Sequence, residues 1–365
     1  MEKLRILLIT NKTPPDFDGG YELRAFQIAQ ALRARGHDLA VATSRYRPTF
    51  RGEKSDPPWV HRIFRYVLVS QSKTVWRKID RVVKRVQCTS VARENLPAME
   101  AFLRQHHDGS PYDIAYCFGL HRISYGVLQP LMQRGLPILH HAGGAHIMEH
   151  TIKLPREVPG YGLALNLFAK KWYALEKAGD FRNIAFVSEF LRDSCAENGL
   201  KPARTFVIPR GIDFPLGTDV ERARRTPPVF MMACQIDPQK GPHIVITAAG
   251  LLQRKRPELD WRLEIAGVSY TDYQDRCIAQ AAAEGIGERV AFIGHLKRAD
   301  VVERMRQATA FVSASIYGEP FAGTIIEALG SGTTLIGAKS GSILEVVKAD
   351  ESAQIRGSDP YAPPF

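Results

Sequence analysis

Two glutamates, Glu319 and Glu327, are separated by seven residues near the end of the chain. An apolar run at 310–314 precedes them and predicts a buried strand, and residues 324–329 predict the first turns of a helix. The first N–H groups of a helix have no partner within it and attract phosphate. Here they belong to Ala322, Gly323 and Thr324. We expect Glu319 to reach sugar hydroxyls and Glu327 to reach a ribose, so the pattern indicates a sugar-nucleotide site. The alternative is that Glu327 solvates a helix face and Glu319 caps the helix.

A pair of glycines, Gly19 and Gly20, lies between the first predicted strand and the first predicted helix. Glycine lets the backbone approach a diphosphate closely, where a side chain would block it. We therefore predict that this loop contacts the diphosphate of a sugar nucleotide, and an ordinary turn is the alternative. No G-x-G-x-x-G string follows the first strand, which argues against a dehydrogenase.

The same loop contains Asp16-Phe17-Asp18, an acid-x-acid triplet of the kind that binds a divalent metal ion in other proteins. No further carboxylate or histidine accompanies it at the spacing of a hard-cation site. We therefore predict a site with no metal and no cofactor. Side chains and helix ends must then neutralise the charge of a bound diphosphate.

The elements that position these residues follow an alternating strand and helix pattern in both halves of the chain. With 365 residues, two domains are the default. Strand, helix, strand order predicts parallel sheets with right-handed crossovers. A stretch rich in Pro, Gly, Thr and Arg without periodicity predicts a linker. We predict an α/β fold with a domain at 1–214, a linker at 215–228 and a second domain at 229–365.

The Glu319 and Glu327 pattern resembles the E-x(7)-E signature of the GT-B glycosyltransferases, in particular the retaining group called family 4. From Leu4 to about Val347 the segments follow the order found in that family. The resemblance implies two facing Rossmann-like domains with an interdomain cleft. It also implies that Glu319 contacts the donor sugar and that Glu327 holds the ribose of a nucleoside diphosphate sugar.

Further donor-binding roles follow from the resemblance. Lys240 matches a lysine that stabilises the leaving diphosphate, whereas Gln235 stands where the family usually has an arginine. The neutral amide of glutamine cannot replace the charged guanidinium of arginine, which binds phosphate through two N–H groups. Another basic group must therefore compensate. Three residues remain open for that role: Lys297, Arg298 and Arg210, the last where the family more often has asparagine. Leu296 ends a strand and turn whose backbone meets the nucleobase in the family.

The loop at 137–146 matches the place where the family presents a histidine to the donor sugar. His146 is the nearest candidate and His141 the next. For either residue, the alternative is a structural histidine with satisfied hydrogen bonds.

The amino-acid composition bears on the cellular location of the protein. Hydrophobic residues make up 45% and charged residues 24%, and no stretch approaches the roughly 18 to 20 apolar residues of a membrane span. The first residues do not resemble a signal peptide, and the five cysteines lack metal or disulfide spacing. We predict a cytoplasmic protein with reduced cysteines.

The formal net charge is +11, and many basic residues lie between 45 and 85 with aromatic residues among them. Such a stretch suits peripheral contact with an anionic membrane on its cytoplasmic face, or an acidic acceptor. A solvated basic face is the alternative. No recognition module for nucleic acid accompanies the charge, so we predict no nucleic-acid partner.

From the residues and the resemblance together we predict a retaining glycosyltransferase. It would move sugar from a nucleoside diphosphate sugar to a glycan, lipid-linked or small-molecule acceptor hydroxyl. Family members continue some tens of residues beyond the match to Glu345, so the second domain is expected to be truncated at its end, with looser closure and exposed apolar surface. The alternatives are a weakened or non-catalytic nucleotide-sugar-binding protein and a sugar-nucleotide epimerase.

Overall fold

The structure is a computed structural model, which describes seven parts of the chain. For residues 77–90 it describes the backbone alone. The described residues are 2–16, 20–46, 56–67, 77–144, 147, 180–211 and 227–347.

The described residues divide into two compact units. Unit 1 comprises Met1–Val187 and Leu191–Ile208, and unit 2 comprises Ser188–Phe190 and Pro209–Phe365. The linker predicted at 215–228 lies almost wholly outside the described residues, so its position stays a prediction.

Unit 1 is built on a seven-stranded parallel sheet with the order β3-β2-β1-β4-β5-β6-β7. Successive strands are added on one side from β1 to β3 and on the other side from β4 to β7. The strand order therefore reverses between β1 and β4. The strands are β1 (Arg5–Thr10), β2 (Asp38–Ser44), β3 (Val60–Phe64), β4 (Ile114–Phe118), β5 (Ile138–Ala142), β6 (Asn183–Phe186) and β7 (Arg204–Val207).

The central strands of unit 1 are buried on both faces, as a parallel sheet covered by helices requires. In β1 the four residues from Ile6 to Ile9 are buried, and alternate side chains join the two apolar clusters on opposite sides of the sheet. The described helices of this unit are α1 (Gly20–Ala34), α2 (Arg77–His106), α3 (Gln129–Gln133) and α4 (Glu189–Glu197), the last of which has its first two residues in unit 2.

Unit 2 contains a five-stranded parallel sheet with the order β10-β9-β8-β11-β12. Its order reverses between β8 and β11. The strands are β8 (Val229–Ala233), β9 (Arg262–Ala266), β10 (Val290–Gly294), β11 (Ala310–Ser313) and β12 (Thr334–Gly337). The helices are α5 (Pro242–Lys255), α6 (Tyr273–Ala283), α7 (Arg298–Gln307), α8 (Gly323–Gly330) and α9 (Ile343–Val346).

One face of the unit 2 sheet borders an apolar cavity of about 910 Å³. Helix α5 forms one wall through residues such as Ile244 and Leu252, and the strands form the floor through Val312 and Ile336. Ile336 is 47% exposed, which is unusual for an apolar side chain on a parallel sheet. The cavity shows that α5 leaves part of this sheet face uncovered.

Within the described part of the chain, no helix combines the length and the apolar character that a membrane crossing requires.

Candidate functional site

The loops that follow β8 and β11 lie at the point where the strand order of unit 2 reverses. In open α/β sheets, ligands bind at the carboxyl ends of the strands at this switch point. Lys240 comes from the first loop and Glu319 from the second, and the Lys240 Nζ donates a hydrogen bond to the Glu319 Oε1 at 2.9 Å. The structure therefore brings together two of the residues predicted to act on the donor.

Two further polar groups contact this ion pair. The Ser315 hydroxyl donates to the same Oε1 of Glu319, and the Lys240 Nζ lies 3.2 Å from the Tyr317 hydroxyl oxygen. Burial opposes the charge of Lys240, but the Glu319 carboxylate and the Tyr317 hydroxyl outweigh that effect and raise the lysine pKa. Lys240 is thus held as a cation inside a partly buried site.

The backbone that presents Lys240 is held by a short turn. The Asp237 carboxylate accepts a hydrogen bond from the Gln239 N–H at 2.9 Å, and Gly241 follows with a φ of 73°. A Cβ at Gly241 would lie 2.1 Å from the Ala314 carbonyl oxygen, so the position requires glycine for both its backbone angle and its space. The Ile316 N–H donates to the Gln239 carbonyl at 2.9 Å, which ties the two loops together.

Glu319 is held from the other side by the residues that follow β12. The Ser342 N–H donates to the Glu319 carbonyl at 3.0 Å. A Cβ at Gly341 would lie 2.4 Å from the Glu319 nitrogen, so only glycine permits this approach. The Glu319 backbone is therefore fixed before any ligand binds.

Helix α8 begins beside this pair, at the place predicted from the sequence. No side chain caps its first residues, Ala322 and Gly323 are buried, and Thr324 is half-buried. Glu327 lies one turn inside the helix and is 8% exposed. Its Oε1 accepts a hydrogen bond from the Arg298 Nε at 2.8 Å, so one carboxylate oxygen already has a cationic partner.

Arg210 lies against the start of α8. A Cβ at Gly323 would lie 2.5 Å from the Arg210 Nη1, so the glycine gives the guanidinium its place. Burial lowers the pKa of Arg210, with Arg298 adding to the effect and Glu327 opposing it. The Arg210 Nε is buried and has no hydrogen-bond partner among the described residues.

Two other predicted donor residues lie in neighbouring loops. Gln235 follows β8 in the loop that leads to Lys240, and it is exposed. Leu296 follows β10 and packs against the apolar cluster below α7 and α8. Contact of Leu296 with a nucleobase stays a prediction.

The predicted residues of the first half fall in unit 1. Gly20 is exposed at the first residue of α1, whereas Gly19 and His146 lie outside the described residues. Their roles stay predictions. Most of the basic stretch at 45–85 also lies outside the described residues or belongs to the helix whose side chains are not described.

His141 is buried at the end of β5. Its Nδ1 lies 2.9 Å from the Tyr116 hydroxyl oxygen, and its ring stacks on Phe118 with centroids 4.6 Å apart. Burial, aided by the charge of Arg24, lowers the pKa of His141 to about 4. Its Nε2 has no hydrogen-bond partner within the described parts of the chain.

Sequence reasoning missed three aromatic or hydroxyl residues at these loops. Ser315 and Tyr317 contact the Lys240 and Glu319 pair, and the Tyr21 hydroxyl donates to the His141 carbonyl. Ser315 and Tyr317 lie within four residues of Glu319 in the same loop, which is a signal that could have found them. Tyr21 follows Gly20 directly, but its long-range partner gives no sequence signal.

Among the described residues, no group of three or more His, Cys, Asp or Glu side chains is arranged to hold a metal ion. Since Phe17 and Asp18 lie outside those residues, the triplet at 16–18 is not covered by this observation. Metal independence stays a prediction.

Two family models match the chain and together cover most of it. Residues 18–214 match the model described as Glycosyltransferase Family 4, and residues 218–357 match the model described as Glycosyl transferases group 1. The first match covers more than half of the chain.

Among curated proteins, the chain is 32% identical to a glycogen synthase of Mycobacterium tuberculosis over 146 residues, which are 40% of this chain and 34% of that protein. It is 30% identical to a D-inositol 3-phosphate glycosyltransferase of Nocardia farcinica over 178 residues, which are 46% of this chain and 39% of that protein. The chain thus spans little more than a third of the length of these relatives.

Among solved structures, the chain resembles a sucrose-phosphate synthase from Thermosynechococcus elongatus with a TM-score of 0.67 and 18% identity. That alignment covers 97% of this chain and 86% of the other. It also resembles Anabaena HepE in complex with UDP-glucose, with a TM-score of 0.57 and 18% identity over 98% of this chain and 88% of the other. Together with the two parallel sheets, these likenesses show the two-domain α/β GT-B fold predicted from the sequence.

Proposed function

This chain belongs to glycosyltransferase family 4, and from that premise we propose that it transfers a sugar from a nucleoside diphosphate sugar to an acceptor hydroxyl with retention at the anomeric carbon. The acceptor classes open to it are a glycan, a lipid-linked sugar and a small molecule.

The observation that carries this proposal is the Lys240 and Glu319 ion pair beside the uncapped start of α8. A cation, free backbone donors and a carboxylate meet at the switch point of a parallel sheet. A diphosphate carries the negative charge that Lys240 and the helix start favour. The sugar bears hydroxyls that a carboxylate such as Glu319 accepts from.

The proposed reaction breaks the bond between the anomeric carbon and the diphosphate oxygen and forms a bond from that carbon to the acceptor oxygen. The negative charge develops on the leaving diphosphate, where Lys240 and the α8 N–H groups stabilise it. The acceptor proton passes to an oxygen of that diphosphate, on the same face of the sugar. Glu319 orients the sugar, and Glu327 accepts from ribose hydroxyls through the oxygen that does not bind Arg298.

The comparisons support the donor class. HepE is described in complex with UDP-glucose, and the inositol-phosphate and glycogen relatives carry names of sugar-transferring enzymes. From HepE we carry to this chain only a nucleoside diphosphate sugar as the donor class, and from the two named relatives only the transfer of a sugar. The identity of the base and sugar depends on pocket shape.

A turnover assay tests the proposal. The wild-type protein is incubated with UDP-, GDP-, ADP- and dTDP-sugars, with and without a panel of acceptors, and nucleoside diphosphate release is measured. We expect release with at least one donor, faster with an acceptor, and an NMR spectrum showing that the anomeric configuration is kept.

Two variants and one control make the assay specific to the site. Lys240→Ala and Glu327→Ala should each reduce turnover at least 100-fold, because each removes a charged contact to the donor. Exposed Arg276 on α6 is the control, and Arg276→Gln should retain wild-type turnover. Unchanged turnover in both site variants would exclude the assignment.

The assay also separates the alternatives. A non-catalytic nucleotide-sugar-binding protein would bind a donor without releasing diphosphate. An epimerase would change the sugar configuration without requiring an acceptor. We further expect turnover to persist in EDTA, and an inhibition that Mg²⁺ or Mn²⁺ reverses would contradict metal independence.

A further inference from the structure

The donor site proposed above has to stabilise about two negative charges on a leaving diphosphate. Side-chain cations can do this in a partly buried site. Four basic residues lie near the start of α8 or on the loops beside it: Lys240, Lys297, Arg298 and Arg210. Their contacts differ, and the differences show which of them is able to bind phosphate.

Two of these cations already have anionic partners. The Lys240 Nζ bonds to Glu319 at 2.9 Å, and the Arg298 Nε bonds to Glu327 at 2.8 Å. Part of the charge of each of these two cations is therefore already balanced by a carboxylate. Lys297 is exposed at the residue before α7, where water screens its charge.

Arg210 is placed differently. Its guanidinium lies against the first residue of α8, because Gly323 has no side chain to displace it. Burial lowers its pKa, which indicates that its charge lacks full solvation. Its buried Nε has no hydrogen-bond partner within the residues that the structure describes. A buried N–H without a hydrogen-bond partner destabilises the protein, and an incoming anion would remove that cost.

The start of α8 and the Arg210 guanidinium therefore lie beside each other. The start of α8 supplies backbone N–H groups, and the Arg210 guanidinium, which lies against Gly323, supplies side-chain N–H groups beside them. Arginine binds phosphate oxygens in a bidentate manner, which a lysine cannot do. Gln235, in contrast, is exposed and neutral.

Resting on the proposed function, we propose that Arg210 binds the leaving diphosphate of the donor and supplies the guanidinium that is absent at Gln235. Arg210 then stabilises the charge that develops as the bond to the sugar breaks. Arg210 binds the second phosphate of the diphosphate in particular. It should therefore add little to the affinity for a nucleoside monophosphate.

The experiment measures binding of UDP and UMP, or of the GDP, ADP or dTDP pair if the wild type prefers another base, by isothermal titration calorimetry. Arg210→Gln should weaken diphosphate binding about 10- to 100-fold and monophosphate binding less than threefold. Lys297→Gln and the control Arg276→Gln should leave both affinities unchanged. Thermal melting of each variant shows whether it is folded.

A rescue variant keeps the test independent of folding. When Gln235→Arg is added to the Arg210→Gln variant, it should reverse at least half of the change in log Kd for the nucleoside diphosphate. In turnover, Arg210→Gln should lower kcat more than it raises KM, because the charge on the diphosphate is largest in the transition state.

The outcomes separate this inference from the proposed function. If the wild type binds no nucleoside diphosphate and turns over no donor, the proposed function fails. If the wild type is active and Arg210→Gln binds UDP and UMP with unchanged affinity, or loses both equally, the role of Arg210 is refuted and the proposed function stands. A loss in Lys297→Gln that matches the loss expected for Arg210→Gln would assign the role to Lys297 instead.

Discussion

Replacing Lys240 with methionine should destabilise unit 2, because it leaves the Glu319 carboxylate partly buried without its cation. Removing one partner of a fully buried ion pair costs about 3 to 5 kcal/mol. The Lys240 side chain is 24% exposed and that of Glu319 is 11% exposed, so solvent reduces this cost, and we expect about 2 to 3 kcal/mol. The Ser315 hydroxyl remains as a partner of the carboxylate and prevents a larger loss.

A double-mutant cycle isolates the interaction. Lys240→Met leaves the Glu319 carboxylate without its cation, and Glu319→Gln removes the charge of that carboxylate. The double variant should therefore be more stable, by about 1 to 3 kcal/mol, than the sum of the two single-variant effects predicts. At roughly 2 to 4 °C per kcal/mol for a unit of this size, Lys240→Met should melt about 5 to 10 °C below the wild type.

The assay is thermal melting followed by intrinsic fluorescence, with Arg256→Met and Glu258→Gln as the matched control. That pair has both side chains 62% exposed, and its removal should leave the melting temperature unchanged. Equal shifts for the buried and the exposed pair, or strict additivity in the cycle, would refute the reasoning that Lys240 neutralises a buried carboxylate.

Three further predictions concern backbone space and proton binding. Gly241→Ala and Gly285→Ala impose the same backbone strain, since their φ angles are 73° and 72°, but a Cβ meets a carbonyl 2.1 Å away only at Gly241. Denaturant unfolding should show a loss of about 1 kcal/mol for Gly285→Ala and a clearly larger one for Gly241→Ala; equal losses would mean that the close contact is absent. Gly323→Ala should push Arg210 away and weaken diphosphate binding about tenfold or more in calorimetry, whereas binding by Gly285→Ala should equal that of the wild type. His141 binds a proton less readily in the folded state, with a pKa of about 4 against 6.5, so its contribution to stability is complete above pH 6.5 and is lost as the pH falls toward 4. The free energy of unfolding should fall by up to about 1.4 kcal/mol per pH unit in that range, and His141→Phe should flatten the dependence; an unchanged slope in the variant would contradict this.

The strands and helices around the donor site were predictable because their apolar runs are uninterrupted. The strand predicted at 310–314 and the helix predicted at 324–329 match β11 and α8 within a residue or two. A parallel sheet buries both faces, so its strands have continuous apolar sequences that a pattern can detect. The prediction of a site after β11 combined this pattern with the E-x(7)-E spacing and the family resemblance.

Strand β3 and helix α2 of unit 1 are among the elements that were not predicted. Strand β3, Val60–Phe64, is an edge strand whose middle residues are only half-buried, and it lies within the basic stretch. Helix α2 contains Pro97 and many basic residues, both of which obscure a helical period. Tertiary packing against the sheet, which a single sequence does not display, determines both elements.

The partners of the site residues were also beyond the sequence. The E-x(7)-E spacing indicated Glu319 and Glu327, but not that Lys240 binds the first and Arg298 the second. Three basic residues were left as candidates for the missing guanidinium. Arg210 differs from the other two in its contact with Gly323, across more than a hundred positions of sequence, and in its buried Nε, which has no hydrogen-bond partner among the described residues.

The most direct measurement is a crystal structure of the protein soaked with the nucleoside diphosphate sugar that it binds most tightly. We expect diphosphate density against the N–H groups of Gly323 and Thr324, within hydrogen-bond distance of Lys240, with the ribose at Glu327 and the sugar at Glu319. Density for the nucleotide at another place, or an empty α8 start in crystals saturated with a ligand that the protein binds in solution, would contradict this expectation.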